Sequence, residues 1–157
     1  MKNLRKGILF GLLLWTAVAC KDDDKDPQAT NLGTYSGTTA VSQDNTGGNL
    51  LNTKITITRL DQKATIKISA VPDFEREFTA DVTASVETGN TKSYSFTLTQ
   101  QTAPTGKNVG GTVIVQGNQL SADITIPNDQ INAYDTDNKS VQLTGNIKLL
   151  AGSFVKE

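Results

Sequence analysis

The side chains able to do chemistry in this chain of 157 residues are few. Histidine is absent, which removes the commonest general base and metal ligand. The single cysteine, Cys20, directly follows the apolar run Ile8 to Ala19 and precedes a charged stretch. A lone thiol at such a junction, followed by charge rather than by an alternating apolar pattern, is not expected to be a core residue. A free cysteine after an ordinary secretory signal is the alternative to a modified one. Asp135 and Asp137 have the spacing that opens a calcium loop. Lys139 stands where a third oxygen ligand is needed, however, and neither the glycine nor the later glutamate follows. Asp81 and Asp123 alternate with threonine or serine and read as solvated face charges. No Gly-x-Ser-x-Gly and no phosphate loop occurs. The sequence therefore predicts no catalytic residues, no cofactor, no metal site and no enzyme. Phe74, Arg76 and Phe78 share one parity at the head of an alternating stretch. They predict a rim where the aromatics close a core and the guanidinium reaches water. The alternative is a mouth that receives an amphipathic anion, with Arg76 on the head group and the rings beside the tail.

What positions Cys20 is its surroundings. Lys2, Arg5 and Lys6 form a basic start, and roughly a dozen apolar residues follow. That run fits the ~7–15 residues of a signal-peptide core and is well short of the ~20 needed to span a bilayer as a helix. Ala17-Val18-Ala19-Cys20 resembles the lipobox of bacterial lipoproteins, with Ala17 where leucine is commonest. The resemblance implies a signal peptide over 1–19, cleavage before Cys20, and acyl chains on Cys20 that hold the protein to a membrane. One chain, at ~0.8 kcal/mol per buried CH₂, anchors only marginally; two or three anchor stably. Lys21, Asp22 and Asp23 resemble the signal that displays lipoproteins of the Bacteroidota on the outer face of the outer membrane. The periplasmic leaflet is the alternative. Residues 20–31 then form a lipidated, acidic tether with no capacity for a core.

Loss of residues 1–19 would remove three cations and no acids, taking the formal charge from −1 to −4. A mildly acidic domain without a Lys/Arg cluster is a poor nucleic-acid binder. Residues 32–157 make one domain, and with no disulfide its stability must come from an apolar core.

Alternation at period two dominates that domain. Strands are expected with inward faces Tyr35–Val41; Leu51, Thr53, Ile55 and Ile57; Ala64, Ile66, Ile68 and Ala70; and Phe78 through Val86 on even positions. Further inward faces are Tyr94, Phe96 and Leu98; Val113 and Val115; Leu120 to Ile126 on even positions; and Val141 to Leu149 on odd ones. A turn at Asp61-Gln62 pairs Ile57 with Ile66 and Ile55 with Ile68. Gly117-Asn118 is a hairpin signal that pairs Val115 with Leu120. A loop over 89–91 pairs Val86 with Tyr94. Loops are expected over 43–49, 102–108 and, after Pro127, over 128–139.

Eight strands with one apolar face each must close on themselves or split into layers. Short sequential hairpins predict an all-β, antiparallel up-and-down barrel, with a β-sandwich as the alternative. Together with the lipoprotein signal, the opening Gly33-Thr34-Tyr35-Ser36-Gly37 and the eight short strands resemble the calycin-like (lipocalin-like) lipoproteins of Bacteroidota. That resemblance implies the barrel and the envelope. Two functions fit: a barrel that binds a small apolar or amphipathic ligand or serves as an accessory envelope component, and a solid domain that recognises a protein as an adhesin or inhibitor. A cavity of a few hundred Å³ separates the first from the second.

Overall fold

The computed structural model describes residues 28–44, 46–99 and 108–157. Eight strands follow in chain order: β1 (Thr30–Gln43), β2 (Thr46–Leu60), β3 (Lys63–Val71), β4 (Phe74–Thr88), β5 (Thr91–Leu98), β6 (Gly110–Gln116), β7 (Gln119–Tyr134) and β8 (Ser140–Lys156). Each pairs antiparallel with the next. β8 pairs back onto β1, from Tyr35 opposite Lys156 to Ser42 opposite Lys148, so the sheet closes into a barrel with no free edge. The ring of paired strands runs from Thr30 to Lys156.

The alternating pattern does what its period requires. Ile57 faces Ile66 and Ile55 faces Ile68 across the Asp61-Gln62 turn, where Asp61 takes a φ of 56°. Val115 faces Leu120 and Val113 faces Ala122 across Gly117-Asn118. All of these side chains point into the barrel and are buried. Leu50, Ile66, Ala80, Phe96, Val113, Ile124 and Leu143, one from each of β2 to β8, are 0% exposed. A lumen open to water or ligand would leave its lining accessible. Among the described residues the inward side chains are buried in one packed cluster, as in an eight-stranded barrel just wide enough for its own side chains.

One end of the barrel is pinched. The β1–β2 and β7–β8 hairpins run past the shorter strands and meet where Asn49 pairs with Tyr134. Gly48 permits this approach. A Cβ there would lie 2.9 Å from the Tyr134 carbonyl oxygen and 3.0 Å from the Ala133 Cβ. At mid-barrel, Gly37 makes room for Phe154, whose ring would lie 2.5 Å from a Cβ at that position.

Several expectations from the sequence are corrected, most of them by bulges. β1 begins at Thr30, inside the stretch assigned to the tether and ahead of the expected domain start at residue 32. The expected loop over 43–49 is largely strand, since Gln43 pairs with Thr46. Leu50, not Leu51, faces the core. Asn52 takes a φ of 48° and the ladder slips between Leu51 and Lys54, so Leu50 and Thr53 both point inward. A second slip, between Val82 and Ala84, sets Val82 opposite Phe96 and Ser85 opposite Tyr94. Ala84 and Val86 therefore face outward, and the β4–β5 turn holds two residues rather than three. β7 does not stop at Pro127. A bulge at Pro127-Asn128 absorbs the missing N–H, and the strand runs on to bury Ile131 and Ala133. Loop residues 102–107 lie outside the described residues.

Candidate functional site

Cys20, Lys21, Asp22 and Asp23 lie outside the described residues. The first strand, β1, begins at Thr30, ten residues after Cys20 in the sequence.

The Phe74, Arg76 and Phe78 cluster sits near the pinched end. β3 turns into β4 there, with Phe74 opposite Ala70, Arg76 opposite Ile68 and Phe78 opposite Ile66. Both phenylalanines are core residues, each 3% exposed. Arg76 lies over Phe74, its Cζ 5.1 Å from the ring centroid. Its head is already engaged. Nε donates to Asp129 Oδ2 at 3.0 Å, Nη2 to Asp129 Oδ1 at 2.7 Å, and Nη1 to the Glu75 carbonyl at 2.8 Å. Asp129 belongs to β7, a strand that is not a neighbour of β4. With a strand expected to end at Pro127, nothing in the sequence points to this partner. The three residues come together as a closure of the barrel's end, with the arginine head paired to Asp129.

Asp135 caps the β7–β8 turn. Its Oδ1 accepts the N–H groups of Asp137 at 2.9 Å and Lys139 at 2.8 Å. Asp81 and Asp123 point outward from β4 and β7, each paired with a lysine, Lys63 and Lys148 respectively. Among the described residues, no group of three or more His, Cys, Asp or Glu side chains could hold a metal ion.

The opposite end is built differently. The β2–β3, β4–β5 and β6–β7 turns gather there with the start of β1 and the end of β8. Between them lies a depression of about 340 Å³. Its lining includes Asn31, Tyr35, Lys92, Tyr94, Val115, Asn118 and Lys156. Tyr94 stacks on Phe96 with centroids 6.1 Å apart, and the Arg59 Cζ lies 5.4 Å from the Tyr94 centroid. The Tyr35 phenol lies 3.4 Å from the Leu32 carbonyl oxygen, to which it donates. Burial, and secondarily Tyr94, raises its pKa above the ordinary 10.0, so it remains a neutral donor. Sequence reading assigned no role to this mouth. Its residues are scattered along the chain, and only the up-and-down order, which sends every second turn to one end, groups them.

Comparison of the chain with protein-family models, curated proteins and solved structures finds no match.

Proposed function

We propose that this is a lipid-anchored protein of the outer membrane, held by acyl chains on Cys20 and displayed on the cell surface through Lys21, Asp22 and Asp23. Its barrel is non-enzymatic and recognises an envelope component, in the first place a protein, through its outer surface and ends rather than through a lumen. The observation that carries the choice of surface over lumen is the filled interior, where inward side chains from β2 to β8 are fully buried against one another. Phe74 and Phe78, which in the alternative reading of this cluster would flank a ligand tail, are part of that packing. Arg76, which in that reading would hold the head group, is paired with Asp129.

The test is calorimetric titration of the chain from residue 20, carrying Cys20→Ser, with a long-chain fatty acid. The expected result is no saturable heat. Stoichiometric binding that is lost in Arg76→Ala would restore the lumen-binding reading and remove this one.

A further inference from the structure

The mouth at which the chain enters the barrel has a composition that packing alone does not require. Leu32, Tyr35 and Val115 give it an apolar floor, while Lys92, Tyr94 and Lys156 stand around it. The lining carries two ammonium groups and no carboxylate. Among the described residues Lys156 has no acidic partner. Among the described residues the acid Lys92 meets is Glu87, at 3.6 Å between two largely exposed side chains, a contact weakened by solvent screening. Arg59 adds a third cation against Tyr94; its Nε donates to the Asp61 carbonyl at 2.7 Å. A recess lined by two ammonium groups on a chain of net negative charge makes a local positive field that attracts anions.

The recess is also held in shape. The Gly117 N–H donates to the Lys92 carbonyl at 3.0 Å, and the Lys156 N–H donates to the Asn118 carbonyl at 2.9 Å. One hairpin turn is thus bound to both lysine backbones. The Lys156 stem lies across Gly33, where a Cβ would run into its Cε; the φ of 129° at Gly33 is one that few other residues adopt. Asn31, Asn90 and Asn118 supply neutral polar groups at the edge.

We infer that this mouth binds a phosphate-bearing ligand, its phosphate held by Lys92 and Lys156 and its apolar or glycerol portion set against Leu32, Tyr35 and Val115. Lysines act on phosphate as point charges and need no bidentate fork. Two sources share this chemistry: free phosphate compounds and lipid head groups. The second has a geometric basis. Cys20 is ten residues before Thr30, at most about 35 Å of extended chain, so a tether on Cys20 would keep this end of the barrel near the bilayer. Only that choice of source rests on the lipid-anchor reading.

The experiment uses the chain from residue 20 with Cys20→Ser. Trp15 is then absent, and Tyr35, Tyr94 and Tyr134 are the intrinsic fluorophores. Inorganic phosphate is titrated by tyrosine fluorescence, and co-sedimentation is measured with vesicles of phosphatidylglycerol and of phosphatidylcholine. The parent is expected to respond to phosphate, to phosphatidylglycerol vesicles, or to both. Lys92→Gln/Lys156→Gln should bind at least tenfold more weakly with an unchanged melting midpoint. Lys63→Gln/Lys67→Gln, of equal charge change on the outer face, should match the parent. Response to phosphate without vesicle binding assigns the site to free phosphate compounds; vesicle binding lost in the mouth variant assigns it to head groups. No response of the parent to either probe, or equal loss in both double variants, overturns the assignment. The protein used carries no lipid, so failure here leaves the Cys20 reading untouched, and failure of that reading leaves this site testable.

Discussion

Arg76 on β4 and Asp129 on β7 grip each other through two parallel hydrogen bonds of 3.0 and 2.7 Å, although their strands are not neighbours in the sheet. The pair ties one wall of the barrel to another just inside its pinched end. Asp129 is 17% and Arg76 36% exposed, so the contact is partly shielded from solvent. A bidentate, partly buried pair is worth more than the fraction of a kcal/mol typical of open surface pairs. A double-mutant cycle with Arg76→Ala and Asp129→Ala, read by denaturant unfolding, should give a coupling energy of about 1–2 kcal/mol. Coupling indistinguishable from zero would mean that the two side chains do not act together.

Thr39 is 2% exposed, and its hydroxyl has no hydrogen-bond partner among the described residues. Thr53, the other buried threonine, donates to the Leu50 carbonyl at 3.0 Å. Removing an unsatisfied buried hydroxyl while keeping the shape recovers its desolvation cost; removing a satisfied one leaves the carbonyl short of a donor. Thr39→Val should therefore be neutral or stabilising by about 1 kcal/mol, and Thr53→Val destabilising by about 1 kcal/mol. Thermal unfolding of the two variants checks the sign, and a reversed order would show that Thr39 is satisfied after all.

Gly110 and Gly111 are adjacent in β6 and should respond very differently to substitution. Gly111 has a φ of 133°, and a Cβ there would press into the Asp123 carbonyl oxygen and lie 2.8 Å from the Ile124 Cα, both backbone atoms. Around Gly110 a Cβ meets nothing within 4 Å. Gly111→Ala should cost about 2–4 kcal/mol through backbone strain and overpacking. Gly110→Ala should stay within about 0.5 kcal/mol of the parent. Similar melting points for the two variants would contradict the tight β6–β7 approach at Gly111.

Replacement of Lys21, Asp22 and Asp23 by alanine should leave lipid attachment intact and lower exposure at the cell surface. Shaving of intact cells with protease measures it. Equal cleavage of variant and parent would assign the protein's position to some other signal.

The barrel could be read in the sequence because its signal is local. Each strand alternates, and the short turns at Asp61-Gln62 and Gly117-Asn118 fix register by parity alone. What could not be read were the places where parity resets. Asn52, Thr83 and Asn128 are ordinary polar residues in sequence, and only the pairing of neighbouring strands makes them bulges. The bulge at Asn128 hid the second half of β7, and with it Asp129. For the same reason Arg76 read as a free rim charge. Tyr94 and Val86 were expected to face each other inside; a slip of one residue at Thr83 sent Val86 out, 56% exposed. The cationic mouth needs residues from five separate stretches, and nothing in any one of them marks it.

Fatty-acid labelling tests the proposed lipid anchor at Cys20 most directly. Cells producing the full chain or its Cys20→Ser variant are grown with a radiolabelled fatty acid, and the protein is isolated from membrane and soluble fractions. The parent should carry label and sediment with membranes; Cys20→Ser should carry none and lose its membrane attachment through acyl chains. Label in the variant equal to that in the parent, or an unlabelled parent, would contradict the anchor.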